Sequence, residues 1–178
     1  MNVCVFCGSA SGHSSDYTNA AKMLGAYLAH SNHSLIYGGG NIGLMGVIAD
    51  AVLQHGGKVI GVIPGFLKDR EVGHTGITRL EVVQSMHERK KRMADLTDVF
   101  VATPGGWGTL EELAEILTWK QLGLIHQPVF VININHFFDP LLAQMDLMVA
   151  EGFLKQECRD FLQVVNSVSE FSKRLNTQ

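Results

Sequence analysis

The sequence is poor in cysteine, has no surplus of basic charge and contains no long apolar run. Each shortage removes a class of protein. Cysteine occurs three times in 178 residues, at Cys4, Cys7 and Cys158. An odd count, with no basic leader in the opening MNVCVFCGSA, favours reduced thiols and a cytoplasmic protein over a disulfide scaffold. Lysine and arginine total 14 against 17 acidic residues, a formal net charge of -3. That balance leaves no electrostatic footprint for a nucleic acid partner. No apolar stretch approaches the roughly 18 to 20 residues that cross a bilayer, so no membrane partner is expected.

Several chemistry-bearing patterns are missing as well. The eight histidines are scattered. His30 and His33 lie close together at an expected helix end, but no second ligand cluster accompanies them, and no metal is expected. Cys4 and Cys7 form a C-x-x-C inside an apolar, strand-like run, where free cysteine behaves as a small buried hydrophobe. No glycine loop ends in GKS or GKT, which excludes a P-loop.

What is present is alternation. Short apolar runs at 3–7, 34–37, 58–64, 79–83, 99–102 and 128–134 read as strands. Between them, 16–29, 42–54, 86–96, 109–122 and 137–150 have helical spacing. The stretch 65–76, rich in glycine and charge, reads as a mobile loop. From Phe161 the chain reads as a strand fragment and a terminal helix. Strands without polar alternation, separated by helices, belong to a parallel sheet covered on both faces. The expected fold is therefore α/β: a doubly wound, mostly parallel, Rossmann-like sheet in one domain spanning 1–178. In such folds ligands sit beyond the carboxyl ends of the strands. The loops at 7–12, 38–43, 85–89 and 103–109 should then face one cleft.

Two glycine loops follow strands and open helices. GGGNIGLMG (38–46) contains GxGxxG, but no acidic residue ends the next strand to hold a ribose, so a dinucleotide reading is weak. Tight helix–sheet packing accounts for part of that loop. PGGWGT (104–109) offers backbone N–H groups and a helix N-terminus to an anion. Two readings of the following acids stand side by side. Thr109 and Glu112 have the spacing of a capping box, and Glu111 and Glu112 complement the dipole of a first helical turn. Alternatively, a carboxylate beside a phosphate cradle suits a positive charge developing between them, as on a ribosyl oxocarbenium ion.

PGGWGTLEE (104–112), with SMHERK (85–90) and YGGGNIGLMG (37–46) upstream, closely resembles the LOG family of cytokinin riboside 5'-monophosphate phosphoribohydrolases. The likeness runs from CVFCGS to beyond TWKQLG. The family pattern PGGxGTxxE is met by Pro104, Gly105, Gly106, Gly108, Thr109 and Glu112. Trp107, at the variable position, is bulkier than many residues there and could reshape the pocket rim. The resemblance implies that Arg89 and Glu112 are catalytic. It implies substrate contacts from Gly8, Ser9, Gly39, Gly40, Met86, Lys90, Pro104, Gly105, Gly106, Gly108 and Thr109. It implies no cofactor, and a homodimer whose partner could complete the site. The family also carries the label lysine decarboxylase, yet no lysine here has a recognisable Schiff-base context for pyridoxal phosphate.

The implied reaction is hydrolysis of the N-glycosidic bond of a purine nucleoside 5'-monophosphate, AMP or a cytokinin type, to free base and ribose 5-phosphate. Glu112 would stabilise the oxocarbenium-like transition state and orient water. Arg89, charged at every relevant pH, suits clamping of phosphate or carboxylate better than acid catalysis. Met86 reads equally as a base contact or a core side chain. Lys91 and Arg92 read as a solvated helix face. A non-catalytic nucleotide or cofactor carrier is the competing reading, because the fold alone does not imply cleavage.

Overall fold

The computed structural model describes residues 1–68 and 73–177. Seven parallel strands form one sheet: β1 (Asn2–Phe6), β2 (Ser34–Tyr37), β3 (Lys58–Pro64), β4 (Arg79–Val83), β5 (Val99–Ala102), β6 (Val129–Ile132) and β7 (Leu162–Val165), in the order β4-β3-β2-β1-β5-β6-β7. The helices are α1 (Ser15–His30), α2 (Gly43–Gln54), α3 (Gly65–Lys68), α4 (Met86–Asp95), α5 (Trp107–Gln121), α6 (Asp139–Ala150), α7 (Gln156–Arg159) and α8 (Val168–Leu175). This is the doubly wound α/β sheet that the unbroken apolar runs call for.

The strands sort their side chains by pleat. Val3 and Val5 of β1 join the core under α1, α2 and α8, with Leu24, Ile48 and Phe171. Cys4 and Phe6 join the opposite core under α4, α5 and α6, with Met93, Leu113 and Met145. Strands β5 and β6 are buried throughout, as strands covered on both faces must be. Cys4 therefore packs into one core, while Cys7 packs against the other. The two thiols of the C-x-x-C are thus split between the two cores.

Differences from the sequence reading are local. Strand β6 stops at Ile132 because the Asn133 side chain accepts from Phe138 N at 2.7 Å and donates to Asp139 at 2.7 Å, turning the chain into α6. Within the segment expected to be a mobile loop, Gly65–Lys68 forms one helical turn, Gly73 bridges Gly40, and residues 69–72 lie outside the described residues.

Chain order reverses between β1 and β5. Successive strands run outward from β1 to β4, and the chain then returns to β5 beside β1. That switch point opens a crevice at the carboxyl ends of these two strands, the usual ligand position in open α/β sheets.

Candidate active site

Strands β1 and β5 end in register, Phe6 beside Ala102. Their loops leave together: Thr103 N donates to Phe6 O at 2.9 Å, and Gly8 N to Pro104 O at 3.2 Å. Leu44 N, at the start of α2, donates to Gly8 O at 3.0 Å and binds a third loop to the pair. Two recesses open where these loops meet, sharing Ser9 and Gly106. The wider recess, about 290 Å³, is edged by Gly8, Pro104 and Gly105 and walled by Tyr17, Leu44 and Phe137. The narrower one, about 130 Å³, holds Arg89, Thr109 and Glu112, with Cys7, Met45, Trp107 and Gly108 around them.

The start of α5 differs from the capping-box reading. The N-cap is Gly106, in extended conformation and without a side-chain cap hydrogen bond, and the helix begins at Trp107. Thr109 is thus inside the first turn and buried, and Glu112 lies in the second turn. Gly105 allows this packing: a Cβ there would stand 2.1 Å from Thr109 Oγ1. Gly106 has no side chain with which to cap the first-turn amides of α5, which lie at the edge of the recess that contains Glu112.

Arg89 comes from α4 and is buried. Its Nε donates to Val62 O at 3.1 Å and its Nη2 to Gly38 O at 3.0 Å. A Cβ on Gly38 would lie 2.1 Å from that Nη2, so the first glycine of the GGGNIGLMG loop is the seat of the arginine. Gly39 O accepts from His74 N at 2.9 Å, and Gly40 bridges Gly73. Neither Gly39 nor Gly40 lines either recess. Met86 places its sulfur 3.9 Å from Arg89 Nη1 and also lies outside both linings.

Lys90 turns away from its neighbour Arg89. Its ammonium pairs with Glu111 and, at 3.0 Å, with Glu115, joining α4 to α5 outside the two recesses. Lys91 pairs with Asp95, and Arg92 bonds Glu81 of β4 at 2.7 and 3.1 Å. Burial, and then the charge of Glu112, push the Cys7 thiol well above its ordinary range. Both effects favour the neutral thiol over the thiolate.

Reasoning from sequence did not single out Met45, Tyr17, Leu44 or Phe137. Met45 and Leu44 carried a signal, since both lie inside the glycine-rich run 38–46. Tyr17 and Phe137, edge to face at 6.0 Å, come from opposite ends of the chain and carried none.

The family described as "Possible lysine decarboxylase" matches residues 45–175. The chain is 44% identical over 173 residues to cytokinin riboside 5'-monophosphate phosphoribohydrolase LOG1 of Arabidopsis thaliana, covering 97% of this chain and 81% of the relative. The chain belongs to the LOG family. It is also 48% identical over 157 residues to cytokinin riboside 5'-monophosphate phosphoribohydrolase LOG of Oryza sativa subsp. japonica, covering 88% of this chain and 65% of that one. Among solved structures, the molybdenum cofactor carrier protein of Chlamydomonas reinhardtii superposes with a TM-score of 0.74 over 99% of this chain and 96% of its own, at 19% identity. That likeness shows the fold. Among the described residues, no lysine lines either recess, so neither presents the amine that pyridoxal phosphate would take. Among the described residues, no helix is long and apolar enough to cross a membrane.

Proposed function

We propose that this LOG-family chain hydrolyses the N-glycosidic bond of purine nucleoside 5'-monophosphates, releasing free base and ribose 5-phosphate. One observation carries the reading: Glu112 and Arg89 share a recess whose edge is the uncapped start of α5. Backbone N–H groups of 105–109 and the Thr109 hydroxyl hold the 5'-phosphate. Glu112 then faces the ribose. As the bond to the base breaks, its electron pair leaves with the base and positive charge grows on the sugar. The carboxylate stabilises that charge and orients water, whose oxygen adds to the anomeric carbon while one proton ends on the base. Arg89, fixed by two main-chain carbonyls, is a permanent cation beside the carboxylate and the phosphate. A phosphate carrier has little need of this pairing.

Incubation with AMP tests the reading. Free adenine and ribose 5-phosphate, separated by chromatography, are the expected products. AMP that binds and is recovered intact would make the chain a carrier. The ratio of kcat/KM for AMP and for isopentenyladenosine monophosphate then assigns the natural base.

The same proposal includes a homodimer in a reducing, cytoplasmic setting, consistent with three free cysteines. Its support is an apolar groove of about 320 Å³ between α5 and α6, lined by Leu110, Leu117, Leu141, Met145 and Met148. Gln121 of α5 lines it too, whereas Trp119 packs against the core. Sedimentation of the chain against Leu117→Asp tests whether a second copy covers this groove.

A further inference from the structure

We infer that Trp107 is the platform on which the base of the nucleotide stacks; the inference rests on the phosphoribohydrolase reading above. Trp107 is 88% exposed, more than any other large apolar side chain among the described residues. It is the first residue of α5 and lines the same recess as Arg89 and Glu112. The glycines on both sides leave open space: a Cβ on Gly106 or on Gly108 would meet nothing within 4 Å. A broad indole therefore stands at the mouth of the candidate site with room for a planar partner beside it.

Size decides what that partner is. The recess with Glu112 holds about 130 Å³, below the roughly 300 Å³ at which pockets for whole ligands begin. A sugar beside Glu112, with its phosphate on the neighbouring amides, fills it. The base must project past the rim, where Trp107 is. A purine presents a π-face, and aromatic side chains stack on bases with little regard to edge substituents. An alkyl group on the exocyclic nitrogen would then point to solvent or along the indole, so AMP and its alkylated relatives share the platform. The wider recess is the rival berth for the base. Glu112 does not line it, and it shares only Ser9 and Gly106 with the recess that Glu112 does line. Its two rings, Tyr17 and Phe137, already pack edge to face on each other at 6.0 Å.

The chain has two tryptophans, so Trp119→Phe leaves Trp107 as the sole indole reporter. In that background, with Glu112→Gln added to slow turnover, AMP is expected to quench the emission. Ribose 5-phosphate should compete with AMP without quenching. Trp107→Ala is expected to lower kcat/KM for AMP by roughly 5- to 150-fold, the range of a lost base–aromatic stack. The inhibition constant of ribose 5-phosphate should stay within about twofold, and Trp107→Phe should restore most of the loss. Unchanged kcat/KM in Trp107→Ala overturns the inference, as does a matching loss in Tyr17→Ala or Phe137→Ala with Trp107→Ala silent. A Trp107→Ala loss that tracks a change in sedimentation overturns it too. If the unaltered chain releases no adenine, the hydrolase reading fails separately, and the contrast in quenching still decides whether the base lies on Trp107.

Discussion

Two helices begin beside the same cleft, and they begin in opposite ways. At α4, Ser85 Oγ accepts from Glu88 N at 3.2 Å, while the Glu88 carboxylate reaches back to Gln84 N at 2.8 Å. Helix α8 repeats the device with Ser167 and Glu170, at 3.1 and 2.8 Å. Both starts are closed by their own side chains. Helix α5 has Thr109 and Glu112 at the same spacing, but it starts earlier, from Gly106, with no side-chain cap. At these three helix starts the hydroxyl-x-x-Glu pattern is thus a cap twice and part of a recess once. A helix start that its own sequence leaves open, facing a recess, is a place prepared for an anion.

The largest expected effect comes from exchanging the same atom pair at the two starts. Glu112→Gln should lower kcat for AMP by about 100-fold or more, as expected when an electrostatic stabiliser of the transition state is removed. The variant should stay folded, because the start of α5 rests on the Gly106 backbone and not on a side-chain cap. Glu88→Gln should do the reverse: turnover unchanged, stability down by roughly 0.3–1 kcal/mol, as for a lost charge at a helix N-terminus. Steady-state kinetics and urea denaturation on the two variants measure both. Equal behaviour would erase the distinction between cap and site.

The sequence made the fold legible because most strands are apolar runs between helical ones, and the topology rule then brought the four loops to one crevice. It did not make the start of α5 legible. Spacing alone fits Thr109 and Glu112 to a box, and only the extended Gly106 moves the helix start two residues ahead of Thr109. Nor did it separate neighbours on α4. Arg89 and Lys90 are about 100° apart around the helix, so one enters toward Gly38 and the other crosses to Glu111 and Glu115. Gly39 and Gly40 belong to the glycine-rich run for which the resemblance implies substrate contacts, and in the structure their backbones bond Gly73 and His74. A motif names residues that work together; which of them meets the ligand depends on the strand ends they support.

Gly38→Ala sharpens the comparison by damaging the site from the α4 side while sparing the α4 cap. The added methyl would overlap Arg89 Nη2, at 2.1 Å. Displacement of the guanidinium should lower kcat/KM by roughly 10- to 100-fold, the scale of a misplacement near 1 Å. Overpacking should cost about 1–3 kcal/mol of stability. If activity survives while stability falls, the position of Arg89 matters to the core and not to the reaction.

The smallest effect concerns the strut between the two starts. Lys90 reaches from α4 to Glu111 and Glu115 of α5. Burial favours its neutral form, but the hydrogen bonds to the two glutamates outweigh this and hold the ammonium above the ordinary lysine range. A raised value in the folded state means that the pair stabilises fully below the ~10.4 of an unfolded lysine and is lost as pH rises through the folded value. Because Glu111 is half exposed, the contribution falls within the ~0.2–1 kcal/mol of solvent-screened pairs. Lys90→Met keeps most of the stem and removes the charge. It should lower the unfolding free energy by that amount at pH 7, and its gap from the unaltered chain should close above the folded lysine value. Urea denaturation across that range is the measurement. A gap that persists in alkali would mean that the stem of Lys90, and not its charge, holds the capped start of α4 against the open start of α5.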